Sequence, residues 1–265
     1  MLIEKTEKDT LALSFGAHSN TLKEFQAKIF EYMKKNGGGD PLVTPDWKRA
    51  IYQIFNIELI NAPDFDAQNL LLLSNHISDF DAVILGLLNR NIRIIAKMEW
   101  VSNPTLSQFL NFHYNIVGIY RNLELIESES QRKAATQHNL KIMTDAIRYL
   151  RTKQEKAQHL FIFPQGTISD INRNSVERIN PGFSKIALVS GAPCVNIFIE
   201  YPSTHGKTRI IFSDPYTIND KNANHGEIWL KSMVAMQNTL KDVRPPVLSE
   251  KHANNNKLGD AYFTP

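Results

Sequence analysis

His76 and Asp81 stand in the order His-x-x-x-x-Asp, directly after the apolar run of residues 70–74. An imidazole in a loop leaving a strand can face solvent. A carboxylate in the first turns of a following helix can then reach back to its Nδ1–H. Such a carboxylate fixes the tautomer and stabilises the imidazolium, which leaves Nε2 to take a proton as a general base. Pairs at this spacing also arise by chance in a chain with eight histidines. On spacing alone the plainer reading is favoured: Asp79 or Asp81 caps a helix and His76 packs locally. Two further segments end apolar runs in the same way. In Phe163-Pro164-Gln165-Gly166-Thr167, proline and glycine force a tight turn whose backbone N–H groups can point into a cleft. Gly118-Ile119-Tyr120-Arg121 ends another run with a cation. Taken singly, the first is also an ordinary strand-ending turn and the second a surface arginine.

Residues of this kind act together only if strands deliver them to one place. Residues 70–74 are a continuous apolar run suited to a strand buried on both faces. Ser78 or Asp79 caps a helix running to about Leu88. Residues 92–96 read as a strand with helical pattern after it through Phe109, and 115–120 as another strand. The longest helix spans about 127–154, with Glu127 and Glu129 at its start and Arg148, Arg151 and Lys153 at its end, as the helix dipole favours. Leu140, Met143, Ile147 and Leu150 read as its inward stripe. Strands at 160–163, 194–199 and 208–212 and a closing helix at 225–240 complete the pattern. The alternation predicts an α/β fold, a mixed, largely parallel sheet flanked by helices. In such sheets ligands gather at the carboxyl ends of the strands.

An amphipathic helix precedes this region. Leu22, Phe25, Ile29, Phe30 and Met33 lie on one side and most lysines off it, before Gly37, Gly38 and Gly39 stop it. A second helix starts at Pro45-Asp46-Trp47. The predicted organisation is an N-terminal helical hairpin, 1–56, an α/β domain, 57–244, and a polar C-terminal tail, 245–265. The hairpin has two readings: it lies at the headgroup level of a membrane surface, or it packs on the α/β core.

Composition narrows the function classes. Apolar residues at 42% and charged residues at 22% exclude a disordered chain. A net charge of +3 is too small to argue for a nucleic-acid partner. A single cysteine, Cys194, excludes an intramolecular disulfide and a multi-cysteine metal site, and fits a reducing compartment. The opening MLIEKTEKDT has no apolar segment of the signal-peptide type, and no run approaches the ~20 apolar residues of a spanning helix. His113, His138, His159, His205 and His225 show no metal-ligand spacing, and neither a Walker loop nor G-x-G-x-x-G occurs. Neither a metal nor a cofactor is expected.

Together the segments resemble the glycerolipid acyltransferase superfamily, which contains the glycerol-3-phosphate and lysophosphatidate acyltransferases. Asn75-His76-Ile77-Ser78-Asp79-Phe80-Asp81 resembles its N-H-x-S-x-x-D block, Gly118 to Arg121 its second block, Phe163 to Thr167 its F-P-E-G-T block, and Ala192-Pro193-Cys194-Val195-Asn196 its fourth. Lys97 and Glu99 sit where the family has a K-x-E-L-like stretch, and Pro181-Gly182-Phe183 with Lys185 resembles the segment before the fourth block. The likeness runs from about Ile57 to Pro215, in the family's order.

The resemblance implies an O-acyltransferase. His76 is then the general base on an acceptor hydroxyl and Asp81 its orienting partner, while Asn75, Ser78, Lys97, Arg121, Gln165, Gly166 and Thr167 bind substrate. Donors for the oxyanion come from backbone amides near Gly166 and Thr167 or beside Ser78. The acyl donor is an acyl-CoA or an acyl carrier protein. The acceptor is a lipid-like alcohol, by default a lysophospholipid or glycerol phosphate, reached at a membrane surface. A cytoplasmic protein, peripheral on the inner face of the membrane, follows from that. Two positions depart from the pattern: Gln165 replaces the block's glutamate, and Ile168 stands where an arginine is common. Gln keeps the shape and one acceptor but loses the charge, and a phosphate fork is lost with the arginine. Arg173 or Arg178 is positioned in sequence to compensate. An acyltransferase for an unphosphorylated alcohol or sugar-lipid therefore stays open as the alternative. A non-catalytic lipid-binding relative and a thioesterase using the same base on water are further readings.

Overall fold

Leu70, Leu71, Leu72 and Leu73 are each 0–1% exposed, so both faces of the strand they form are covered. Burying a leucine stabilises a fold by about 1.5–3 kcal/mol, and this strand lies between two others in the sheet. The computed structural model describes residues 57–76, 80–86, 88, 91–102, 116–166, 179, 182–200 and 207–239. The expected N-terminal hairpin and C-terminal tail lie outside them. The elements in chain order are β1 (Ile57–Ile60), β2 (Leu70–Ser74), α1 (Phe80–Gly86), β3 (Ile92–Lys97), α2 (Met98–Ser102), β4 (Ile116–Ile119) and a 3-10 turn (Leu123–Leu125). After these come α3 (Glu129–Arg151), β5 (His159–Ile162), α4 (Gly182–Ser190), β6 (Cys194–Glu200), β7 (Thr208–Phe212) and α5 (His225–Asn238).

The chain forms two units. The larger comprises Asn61–Phe198 and Phe212–Pro265, and the smaller Met1–Ile60 with Ile199–Ile211. In the larger unit the strand order is β6-β2-β5-β3-β4. The β2–β5, β2–β6, β3–β4 and β3–β5 ladders are all parallel, and one isolated antiparallel bridge joins Cys194 to Tyr216. Register sets Leu71 opposite both Leu160 and Cys194, and Lys97 opposite Ile119. In the smaller unit β1 pairs with β7 in parallel, Ile57 opposite Thr208, and Glu58 meets Lys207 at 3.0 Å and Arg209 at 3.9 Å. The mixed, largely parallel α/β architecture expected from the alternating pattern is the one found.

Helix α3 begins where Ser128 accepts the Gln131 N–H, with Glu129 in the first turn and Arg148 and Arg151 in the last. Its buried residues are Ala135, Ala146 and Leu150. Leu140 is 59% exposed, which corrects the expected inward stripe. The inward face runs instead through Ala135, His138, Asn139, Ile142, Ala146 and Leu150, a 3–4 spacing with two polar residues in it. Helix α4, buried through Phe183, Ser184, Ile186 and Ala187, packs on α3. It ends at Gly191, whose φ of 70° lets its N–H close on the Ala187 carbonyl at 2.8 Å. No helix among the described residues is long and apolar enough to cross a membrane.

Candidate active site

Parallel strands end at one edge, and three chain segments leave the larger unit's sheet there. Asn75 and His76 follow β2, Tyr120 and Arg121 follow β4, and Phe163, Pro164, Gln165 and Gly166 follow β5. Asn75 is 5% exposed and its N–H donates to the Ile197 carbonyl at 3.3 Å, so it ties the end of β2 to β6 below His76.

Asp81, in the first turn of α1, is fully buried and places Oδ2 3.0 Å from Nδ1 of His76. A carboxylate only accepts, so Nδ1 carries the proton and, in the neutral ring, Nε2 holds the lone pair. The imidazole keeps 16% of its surface exposed. The Phe163 ring stacks on one face of it, centroids 3.9 Å apart and planes 18° from parallel. Phe161 meets the edge of Phe163 at 4.6 Å and backs that ring from β5. The imidazole is thus held at Nδ1 and on one face.

Gln165 is 1% exposed and its Oε1 accepts the His76 N–H at 2.6 Å. The amide therefore grips the main chain of the histidine across the sheet edge. A glutamate at this position would offer the same acceptor with a charge added. The turn bearing Gln165 closes through the Gly166 N–H on the Phe163 carbonyl at 2.9 Å, and Gly166 holds a φ of 69° that a side chain would strain. Of the candidate oxyanion donors near Gly166 and Thr167 or beside Ser78, the Gly166 N–H makes a hydrogen bond inside the turn. The Gly166 carbonyl in turn accepts from Nη1 of Arg121, which brings the cation from β4 to the turn after β5.

His76, Asp81, Gln165, Gly166 and Arg121 are therefore linked by direct contacts, with Asn75 beneath them. Lys97 ends β3, and among the described residues no hydrogen bond or ion pair joins it to this cluster. Ser78, Thr167, Ile168, Arg173 and Arg178 lie outside the described residues, and of Glu99 only the helical backbone is described. Cys194 is fully buried at the head of β6, and burial pushes its thiol up to about 12. Burial of that kind favours the thiol over the nucleophilic thiolate.

Contacts that spacing did not reveal complete the arrangement. Phe163 belongs to a recognised block, yet its stacking on His76 joins residues 87 positions apart. On α3, His138 Nε2 lies 2.9 Å from the Gly118 carbonyl and Asn139 bonds both backbone groups of Tyr120. The signal available in the sequence was a polar pair on an otherwise apolar helix face.

Against known proteins, the family model Acyltransferase matches residues 53–200. The fold is similar to that of the 1-acyl-sn-glycerophosphate (LPA) acyltransferase PlsC from Thermotoga maritima, with 15% sequence identity and a TM-score of 0.50 over 83% of this chain and 90% of that one. No curated protein matches the chain. The family match spans more than half of the 265 residues and includes all three strand-end segments. This chain belongs to the acyltransferase family.

Proposed function

We propose that the protein moves a fatty acyl group from an acyl thioester, acyl-CoA or acyl carrier protein, to a hydroxyl of a lysophospholipid or glycerol phosphate, with His76 as general base. The observation that carries this reading is the buried Asp81 carboxylate 3.0 Å from His76 Nδ1 beside a partly exposed imidazole. With Nδ1–H engaged, Nε2 takes the proton of the acceptor hydroxyl as its oxygen attacks the thioester carbon. The oxyanion then collapses, the C–S bond breaks, and the leaving sulfur recovers the proton from Nε2. Ester and free thiol are the products, and no covalent enzyme intermediate is required. Arg121, held on the turn that follows β5, is the cation in this arrangement suited to an acceptor phosphate. Access to a lipid acceptor calls for contact with a membrane surface.

A second reading keeps the chemistry and changes the acceptor to an unphosphorylated alcohol or sugar-lipid. The neutral Gln165 in the place of an acid, and Ile168 in the place of a base, favour it. One assay separates the readings: thiol release from a single long-chain acyl-CoA against 1-acylglycerol 3-phosphate, glycerol 3-phosphate, unphosphorylated 1-acylglycerol and a sugar. Acceptor-dependent release is expected, and His76→Ala lowers it on the order of 10²–10⁴-fold in a folded protein. Thiol release that no acceptor accelerates identifies a thioesterase instead. Full activity in His76→Ala refutes the base.

A further inference from the structure

Strand β4 ends the order of strands in the larger unit, so among the described residues one of its edges has no strand beside it. Backbone groups on such an edge need other partners. Helix α3 supplies them. Asn139 Oδ1 accepts the Tyr120 N–H at 2.9 Å, and Asn139 Nδ2 donates to the Tyr120 carbonyl at 2.8 Å. One amide thereby satisfies both polar groups of a single residue, as a neighbouring strand would, and the pairing fixes which end of the amide is oxygen. One residue earlier on the helix, His138 Nε2–H donates to the Gly118 carbonyl at 2.9 Å, and its ring meets the Tyr120 ring edge-on at 5.3 Å. Gly118 also lies so close to α2 that an added Cβ would stand 3.2 Å from the Met98 Cα. The chain leaving β4 is thus held by two helices immediately before Arg121.

We propose that Asn139 is a positioning residue for acceptor recognition: by clamping the Tyr120 peptide it aims the Arg121 guanidinium at the Gly166 turn, where it meets an anionic group of the acceptor. The inference rests on the proposed function for the identity of the substrate and on geometry alone for the clamp. A short, flexible strand end could not hold a long arginine side chain at one point of the site. Two hydrogen bonds to the backbone of the preceding residue remove that freedom before the acceptor arrives, and misplacement by about 1 Å at such a group can lower a rate on the order of 10²-fold.

The test compares wild type, Asn139→Ala, Arg121→Ala and the double variant on 1-acylglycerol 3-phosphate and on unphosphorylated 1-acylglycerol. Asn139→Asp is the conservative partner, keeping the acceptor for the Tyr120 N–H while losing the donor to its carbonyl. The ratio of kcat/KM for the phosphorylated over the unphosphorylated acceptor is expected to fall roughly 10–100-fold in Asn139→Ala, through KM rather than kcat, and by less in Asn139→Asp. The double variant is expected to be no worse than Arg121→Ala, because both changes remove one function. Equal losses on both acceptors, or additive losses, overturn the proposal. A readout free of substrate is the Nε–Hε resonance of Arg121 in ¹⁵N-labelled protein, assigned with Arg121→Lys. It is expected to shift toward the position of a free arginine in Asn139→Ala and part of the way in Asn139→Asp. A wild type without acyl transfer refutes the proposed function while this resonance still reads the clamp; a resonance unmoved in both variants refutes the clamp.

Discussion

Replacing Asp81 by asparagine isolates what the carboxylate contributes, because shape and hydrogen-bonding reach are conserved. The amide presents either an oxygen or an NH₂ group to His76 Nδ1. If NH₂ faces the ring, Nδ1 becomes the acceptor and Nε2 carries the proton, which is the wrong tautomer for a base. If the oxygen faces the ring, the tautomer survives but the imidazolium that forms during proton transfer loses its counter-charge. At the observed 3.0 Å separation and an effective dielectric of about 20, that attraction is roughly 5 kcal/mol. The amide dipole recovers part of it, which leaves a loss of about 3–5 kcal/mol at the transition state, or on the order of 10²–10⁴ in rate. The substrate-binding contacts are untouched, so the loss falls on kcat. The assay is acyl-CoA thiol release with the best acceptor of the panel, beside a thermal melt to confirm the fold. Asp81→Asn activity above about a tenth of wild type would refute the reasoning, since an electrostatic partner at this distance cannot be worth so little in a buried site.

Gly118→Ala drives a Cβ to 3.0 Å from the Met98 Sδ and 3.1 Å from the Val101 Cγ2. Overpacking of that kind destabilises by about 1–3 kcal/mol, or roughly 2–10 °C in Tm for a domain of this size; an unchanged Tm by scanning calorimetry rejects the close packing of β4 on α2. His159 donates from Nε2 to the Phe65 carbonyl at 2.9 Å and buries Nδ1 without a hydrogen-bond partner, and burial holds its pKa below the usual 6.5. The unfolded chain therefore binds a proton first as the pH falls, so stability present above pH 6.5 is lost as the pH descends toward the folded-state value. Urea unfolding at pH 7.5 and 5.5 is expected to show this loss in wild type and a smaller one in His159→Gln; equal losses contradict it.

Much of the sheet was legible because its strands are buried on both faces. Leu70–Ser74 and Thr208–Phe212 announce themselves as unbroken or nearly unbroken apolar runs. Ile57–Ile60 does not, since it is four residues long and carries Glu58, whose partners Lys207 and Arg209 lie about 150 residues on. The apolar helix Gly182–Ser190 was missed for the opposite reason: nine residues with few polar positions show no periodicity to detect. Leu140 misled because α3 has two sets of helically spaced residues. The set that faces inward is rich in alanine and includes His138 and Asn139, which serve the polar margin of β4.

The same distinction governs the site. His76 and Asp81 were readable as a pair because they lie only five residues apart in the chain. The grip of Gln165 on the His76 main chain and the stacking of Phe163 were not, because each depends on β2 and β5 lying side by side.

That register gathers several contacts onto the turn after β5. The resemblance implies an acceptor-binding role for position 165, where the family carries an acid; Gln165 is buried and accepts the His76 main-chain N–H. Two residues earlier, Phe163 covers the face of the imidazole; one residue later, Gly166 receives Arg121. A single tight turn thus touches the His76 ring, the His76 main chain and the Arg121 guanidinium. Loss of the acid at position 165 leaves the mechanical linkage intact, because an amide oxygen accepts an N–H as a carboxylate oxygen does. What changes is the charge one residue before the carbonyl that receives Arg121. The departure at Gln165 therefore leaves in place both the hold on the His76 main chain and the contact of Asp81 with the His76 ring.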